Sequence, residues 1–158
     1  MKRTVLPIIL LLCLTAFAVP QKKKKKAKQK ETITKIAYET FARRGRTEVS
    51  ITRDSAISIG KKEKKFILMN SAKWSALVNS LNTVKLPAIP SWASPTKARE
   101  YDGAAHCKIA ISTKANTYES KYFDNGRPMK QLQALYNAID SLRNEIETAG
   151  KEYSLRAE

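Results

Sequence analysis

Leu132, Leu135, Ile139, Leu142 and Ile146 recur at steps of three, four, three and four, which puts five branched side chains on one stripe of a helix. Burying each contributes up to roughly 1.5–3 kcal/mol before entropy is charged, so a helix of this kind has to lie on an apolar surface. Pro128 fits its first turn, where no backbone donor is missed, and Gly150 supplies a stop. The receiving surface is upstream. Residues 32–41 are rich in β-branched and aromatic types, 47–52 alternate polar and apolar, and 56–59 and 66–69 follow after polar turns. Between the first two, Arg43-Arg44-Gly45-Arg46 reads as a hairpin tip, with a glycine free to take positive φ. Four strands in an antiparallel meander are predicted.

The period changes at Ser71. Asn70 or Ser71 can cap a helix, and Trp74, Leu77, Val78 and Leu81 form its apolar stripe up to Asn82. Residues 84–103 hold Pro87, Pro90 and Pro95, yet Leu86, Ile89 and Trp92 need burial, so an ordered loop is expected. Strands return at 106–112 and 117–123, before an Asp124-Asn125-Gly126 turn. The fold class is therefore α+β: an about six-stranded, mostly antiparallel sheet with two helices packed on one face.

The N-terminus reads as an address. Lys2 and Arg3 precede the apolar run Val5 to Leu14, and Ala16-Phe17-Ala18 supplies a small-x-small cleavage pattern. The run is shorter than the roughly twenty residues of a membrane-spanning helix. The expected division is a signal peptide at 1–18, a disordered lysine-rich tail at 19–30, a single domain at 31–150 and a C-terminal tail at 151–158. The lysines at 22–26, 28 and 30 oppose this, because positive charge behind an apolar segment tends to stay cytoplasmic. An uncleaved N-terminal anchor is thus the competing reading, and lipidation at Cys13 a weaker one. Of 30 Lys and Arg, two fall in the leader and seven in the tail, so 21 face all 14 Asp and Glu in the domain.

Chemistry is sparse. With Cys13 removed, Cys107 is the sole thiol, and no internal disulfide can form. It shares a strand face with Ile109 and Ile111, which marks it as a core residue, while His106, the only histidine, points to the opposite face. No metal site, cofactor or catalytic residue is assigned. Gly-rich phosphate loops, Gly-x-Ser-x-Gly and Cys-x-x-Cys do not occur. The 96–104 loop joins Arg99, Tyr101 and Asp102, and a cluster of Arg43, Arg44 and Arg46 sits at the hairpin tip; each can bind or merely turn the chain. Lys22, Lys23, Lys24, Lys25 and Lys26 suit electrostatic contact with an anionic membrane surface. Nucleic acid is not expected, since no aromatic residues interleave with those lysines.

Arg44-Gly45, Pro95-Thr96, Asp102-Gly103-Ala104 and Phe123-Asp124-Asn125-Gly126-Arg127-Pro128 together resemble the motif series of a largely uncharacterised family of small exported bacterial proteins. Ser94 stands where that series has an alanine. The resemblance covers about residues 32–147; it implies export and the same fold, and no established activity. Its motifs fall in turns, so the loops carrying Arg44, Arg99, Asp102 and Asp124 are expected to converge at one end of the sheet as an ion-paired binding site. The functional expectation is an exported cell-envelope protein, a non-enzymatic binding module for an unknown envelope protein or anionic surface. The alternatives are a hydrolase using Asp102 or Asp124, and a protease inhibitor presenting the 87–103 loop.

Overall fold

The computed structural model describes residues 31–43, 45–61, 63–101, 103–149 and 151–153. The expected signal peptide, the lysine tail, Arg44, Asp102 and Gly150 lie outside the described residues.

The fold is α+β, as expected. Strands β1 (Ile33–Ala42), β2 (Gly45–Ile51), β3 (Ser55–Ile59) and β4 (Lys64–Leu68) form the meander, and helix α1 (Ser71–Asn79) follows. Strands β5 (His106–Thr113), β6 (Thr117–Glu119) and β7 (Phe123–Asp124) precede helix α2 (Gln133–Ala149), and β8 (Lys151–Tyr153) follows it. The sheet order is β6-β5-β1-β2-β3-β4-β8, with β7 beside β5, and every pairing is antiparallel. Strand β8 lies within the stretch expected to be a tail; its backbone pairs with Lys64–Phe66 of β4.

Leu132, Leu135, Ile139, Leu142 and Ile146 are all buried, in one cluster with Val49 and Ile51 of β2 and Ile109 of β5. Side-chain ions fasten the helices around that contact: Lys65 of β4 bonds Glu147 at 2.9 Å, and Lys73 of α1 pairs with Glu145. Asn70 caps α1, its Oδ1 accepting from the Lys73 N–H at 2.8 Å. Past Asn79 the chain tightens into i→i+3 bonds, which keep Leu81 in the core without a further α turn. The second helix starts later than Pro128 for a similar reason. A 3-10 turn at Lys130–Leu132 comes first, with the Leu132 N–H bonded to the Met129 carbonyl at 2.8 Å.

Two features depart from a simple reading of the strands. In β3 the isoleucines face away from the helices, while Ala56 and Ser58 are buried opposite Ile51 and Val49. Parity explains this: β2 must turn Val49 and Ile51 inward, and their cross-strand partners follow them. The residues at 117–123, expected as one strand, carry a bulge. Pairing is Ala110↔Glu119 on one side and Cys107↔Phe123 on the other, so four steps on this strand oppose three on β5. Ser120 holds the bulge, its Oγ accepting from the Ile109 N–H at 3.0 Å. Phe123 is thereby turned into the core, and Tyr122 outward.

The core contact is tested against the parity rule by two substitutions. Ile139→Ala should lower unfolding free energy by about 2–5 kcal/mol, whereas Ile59→Thr on the outer face should change it by less than about 0.5 kcal/mol. Urea titration of both variants decides the matter.

Candidate functional site

Gly45 at φ +134° closes the β1–β2 hairpin at the end of the sheet where β5 begins. The 94–101 segment and the turn after β7 lie at this same end. Gly126 at φ +80° makes that second turn, bringing the Arg127 N–H to the Asp124 carbonyl at 2.8 Å.

Arg99 and Asp124 meet here. Asp124 is 1% exposed. Its Oδ2 accepts from the Ala98 N–H at 2.7 Å, and its Oδ1 accepts from the Arg99 N–H at 3.0 Å and from Arg99 Nη1 at 3.1 Å. Arg99 Nη1 also donates to Ser94 Oγ at 3.0 Å and to the Thr96 carbonyl at 2.7 Å. Burial raises this carboxyl, but the Thr96 hydroxyl, the Arg99 N–H and guanidinium and the Ala98 N–H outweigh it. Asp124 is held well below the usual carboxylate range. The Thr96 hydroxyl is near enough to act on the carboxylate, although its buried oxygen makes no hydrogen bond of full geometry. The pair is an internal clamp, fastening the long loop to β7. Arg44 and Asp102, expected beside it, fall outside the described residues.

A second polar knot runs from the buried side chains beneath the sheet to the exposed Asn125. The Tyr38 hydroxyl lies 3.0 Å from Cys107 Sγ and 3.2 Å from Asn125 Oδ1, and Tyr136 donates to the same Asn125 oxygen at 3.1 Å. The Gly126 N–H donates to the Tyr136 hydroxyl at 3.0 Å, so the knot grips the turn after β7. Burial, then the contact with Cys107, pushes the Tyr38 phenol far up. Burial also raises the Cys107 thiol, against a pull from Tyr38 and Thr40 in the other direction. A buried, protonated thiol is a poor nucleophile; as expected, Cys107 is a core residue.

Among the described residues the opposite face of the sheet bears no helix; sequence reasoning placed His106 there and nominated Arg43 and Arg46 at its edge, but not its aromatic cluster. Phe41 (52% exposed), His106 and Tyr122 (42% exposed) form a chain of ring contacts there, with centroids 6.1 and 6.0 Å apart. Lys108 Nζ stands 5.7 Å from the Tyr122 ring centre. A hollow of about 410 Å³ adjoins Phe41 and His106 toward Arg43 and Ala104. On the other side a trough of about 240 Å³ runs along β1, β2 and β5. The available signal was the odd spacing of Tyr118 and Phe123, which a regular strand cannot place on one face.

Among the described residues, no group of three or more His, Cys, Asp or Glu is placed to hold a metal ion, and no helix is long and apolar enough to cross a membrane. No protein-family model, curated protein or solved structure matches the chain.

Two outcomes follow from the buried groups. Asp124 has a folded pKa below its unfolded value of 3.8, so the stability it contributes is present above about pH 4 and is lost as pH falls through the folded value. Asp124→Asn should cost about 2–3 kcal/mol at neutral pH, since it leaves the mostly buried Arg99 with only the exposed Glu100, 3.6 Å away, as an anion. Its acid-unfolding limb should also be flatter than the parent's, as read by circular dichroism from pH 7 downward. A thiol reagent should modify Cys107 only as fast as the domain unfolds; rapid modification at Cys107 in the native protein would contradict its burial.

Proposed function

We propose that this protein is an exported, non-enzymatic binding module of the cell envelope, and that it binds through the bare face of its sheet. The observation that carries this reading is the segregation of its side chains. Asp124, Tyr38 and Cys107 are buried, Arg99 is nearly so, and each is occupied within its own network, while Phe41 and Tyr122 are exposed around His106 on a face that bears no helix among the described residues. An exposed aromatic cluster on a rigid sheet is a surface for recognition. The leader-like residues 1–18 and the motif resemblance to small exported proteins support the compartment.

The alternatives have less support. A hydrolase using Asp124 needs a carboxyl that trades protons, and this one is fixed as an anion by two backbone N–H groups and the Arg99 guanidinium. A protease inhibitor needs a projecting loop, whereas Ile89 of the 87–103 segment is buried and Leu86 and Trp92 pack on the core. The lysine tail contributes a weaker, electrostatic attachment. Glu31, where the tail joins the domain, accepts from the Tyr118 hydroxyl at 2.8 Å and from Thr113 Oγ1 at 3.0 Å. That clamp sets the origin of the tail at the start of β1, far from Phe41 at its end.

Sedimentation of the full chain with isolated cell envelopes separates the two contributions. Retention should persist in about 1 M salt, where the Debye length is about 3 Å and a lysine tether is screened. The double variant Phe41→Ser, Tyr122→Ala should lose that salt-resistant fraction at unchanged melting temperature. Intact mass of the envelope-bound protein should correspond to a start at Val19. Undiminished retention of the double variant, or an uncut Met1, overturns the corresponding half of the proposal.

A further inference from the structure

Six charged side chains border the trough on the bare face: Lys35, Arg46 and Lys108, with Glu39, Glu48 and Glu119. They pair in place. Arg46 bonds Glu39 at 2.8 Å, Lys108 bonds Glu119 at 3.1 Å, and Lys108 lies 3.9 Å from Glu39. Cations and anions are equal in number, so the local field is close to zero and offers little to a polyanion. A dry protein interface is no better match, because the cores of such interfaces are depleted of charge. What the trough offers is a dense set of oriented donors and acceptors with capacity to spare. A carboxylate accepts at about four sites and an ammonium donates three hydrogen bonds, more than these pairs consume.

The floor beneath them is made of Ala37 and Ala110, directly opposite each other on β1 and β5. These short side chains let a flat ligand lie close to the sheet. The trough leads to Tyr122, whose ring is exposed and whose hydroxyl reaches Glu39 Oε1 at 3.5 Å, and from there to His106 and Phe41. Outward residues of β1 run from Lys35 to Phe41, a span of about 20 Å at about 3.3 Å per residue. An aromatic platform that continues into a neutral, hydrogen-bonding trough matches one chemistry. A sugar ring has an apolar C–H face that can lie on an aromatic ring, and a rim of hydroxyls that each both donate and accept.

We infer that the bare sheet face between Tyr122 and Lys35 is a binding site for a neutral glycan chain, with Tyr122 as the stacking platform and Glu39, Lys108 and Glu119 engaging the hydroxyls. This rests on the binding-module reading above and names its ligand class. The test is calorimetric titration of the full exported chain with cellotetraose, chitotetraose and maltotetraose, with polygalacturonate as the anionic comparator. At least one neutral tetrasaccharide should bind, with an affinity that is the same in low salt and in about 1 M salt, where charge is screened. Tyr122→Ala should weaken it about tenfold, as the loss of one buried aromatic contact would. Tyr122→Phe should retain it, and Tyr101→Ala, exposed outside the trough, should leave it unchanged. Salt-resistant envelope retention with no neutral tetrasaccharide bound at millimolar concentration overturns the glycan assignment while sparing the binding module. Binding of polygalacturonate alone, abolished by salt, overturns the assignment too, and absence of both retention and glycan binding overturns both readings.

Discussion

Helix α2 lies across the sheet, and the five side chains it buries decide which way each strand may face. Ile139 and Leu142 need apolar partners, which β2 and β5 provide with Val49, Ile51 and Ile109. Since successive strand residues point to opposite faces, one inward residue fixes its whole strand, and cross-strand pairing passes the choice on. Val49 opposes Ser58 and Ile51 opposes Ala56, so β3 is committed before its own hydrophobicity has any influence. Ile57 and Ile59 go outward as a consequence, and small residues are left beneath the helix. The contact that stabilises one face thus composes the other.

The elements were legible to the extent that their signals were local. The period of the 128–150 stretch, the hairpin at Gly45, the cap at Asn70 and the burial of Ile89 each depend on a few neighbouring residues, and all are present. Facing was less legible, because it belongs to pairs of strands. Nothing inside 56–59 reveals that the isoleucines lose to Ala56 and Ser58. Likewise the 117–123 segment looks like one strand until its partner is known, and the extra residue appears only as a change of register against β5. Strand β8 escaped notice because three residues after a helix carry no period at all.

The same limit applies to the charged residues. Arg99 and Asp124 stand out in the sequence as turn residues able to form an ion pair, and they do pair. Their depth could not be read from residue type. A carboxylate with two backbone donors and a guanidinium is as well satisfied inside the protein as in water, so the pair is fit to hold the long loop against β7 and has little capacity left for a ligand. The Tyr38–Cys107–Asn125–Tyr136 knot beside it does similar work on the next turn. Between them, these two networks occupy Arg99, Asp124 and Cys107, three of the groups that the sequence offers for chemistry.

What remains is a face shaped by exclusion. A sheet covered on one side by helices is expected to alternate apolar inside with polar outside, and the outer positions of β1, β2 and β5 largely comply, through Lys35, Glu39, Glu48 and Lys108. Phe41 and Tyr122 do not. No core requirement accounts for them, since both are exposed, and solubility alone would favour polar residues at either position. The bulge matters because it decouples Tyr122 from the alternation of its own strand. It allows Phe123 to serve the core and Tyr122 to stand outside, next to Lys108 and His106. A bulge is a common means of re-aiming a side chain near a functional surface, and here the re-aimed ring ends the trough. The aromatic cluster sits at one end of β1 and the Glu31 clamp at the other. In the binding module proposed above, the sheet face is the attachment that salt does not screen and the lysine run is the one that it does.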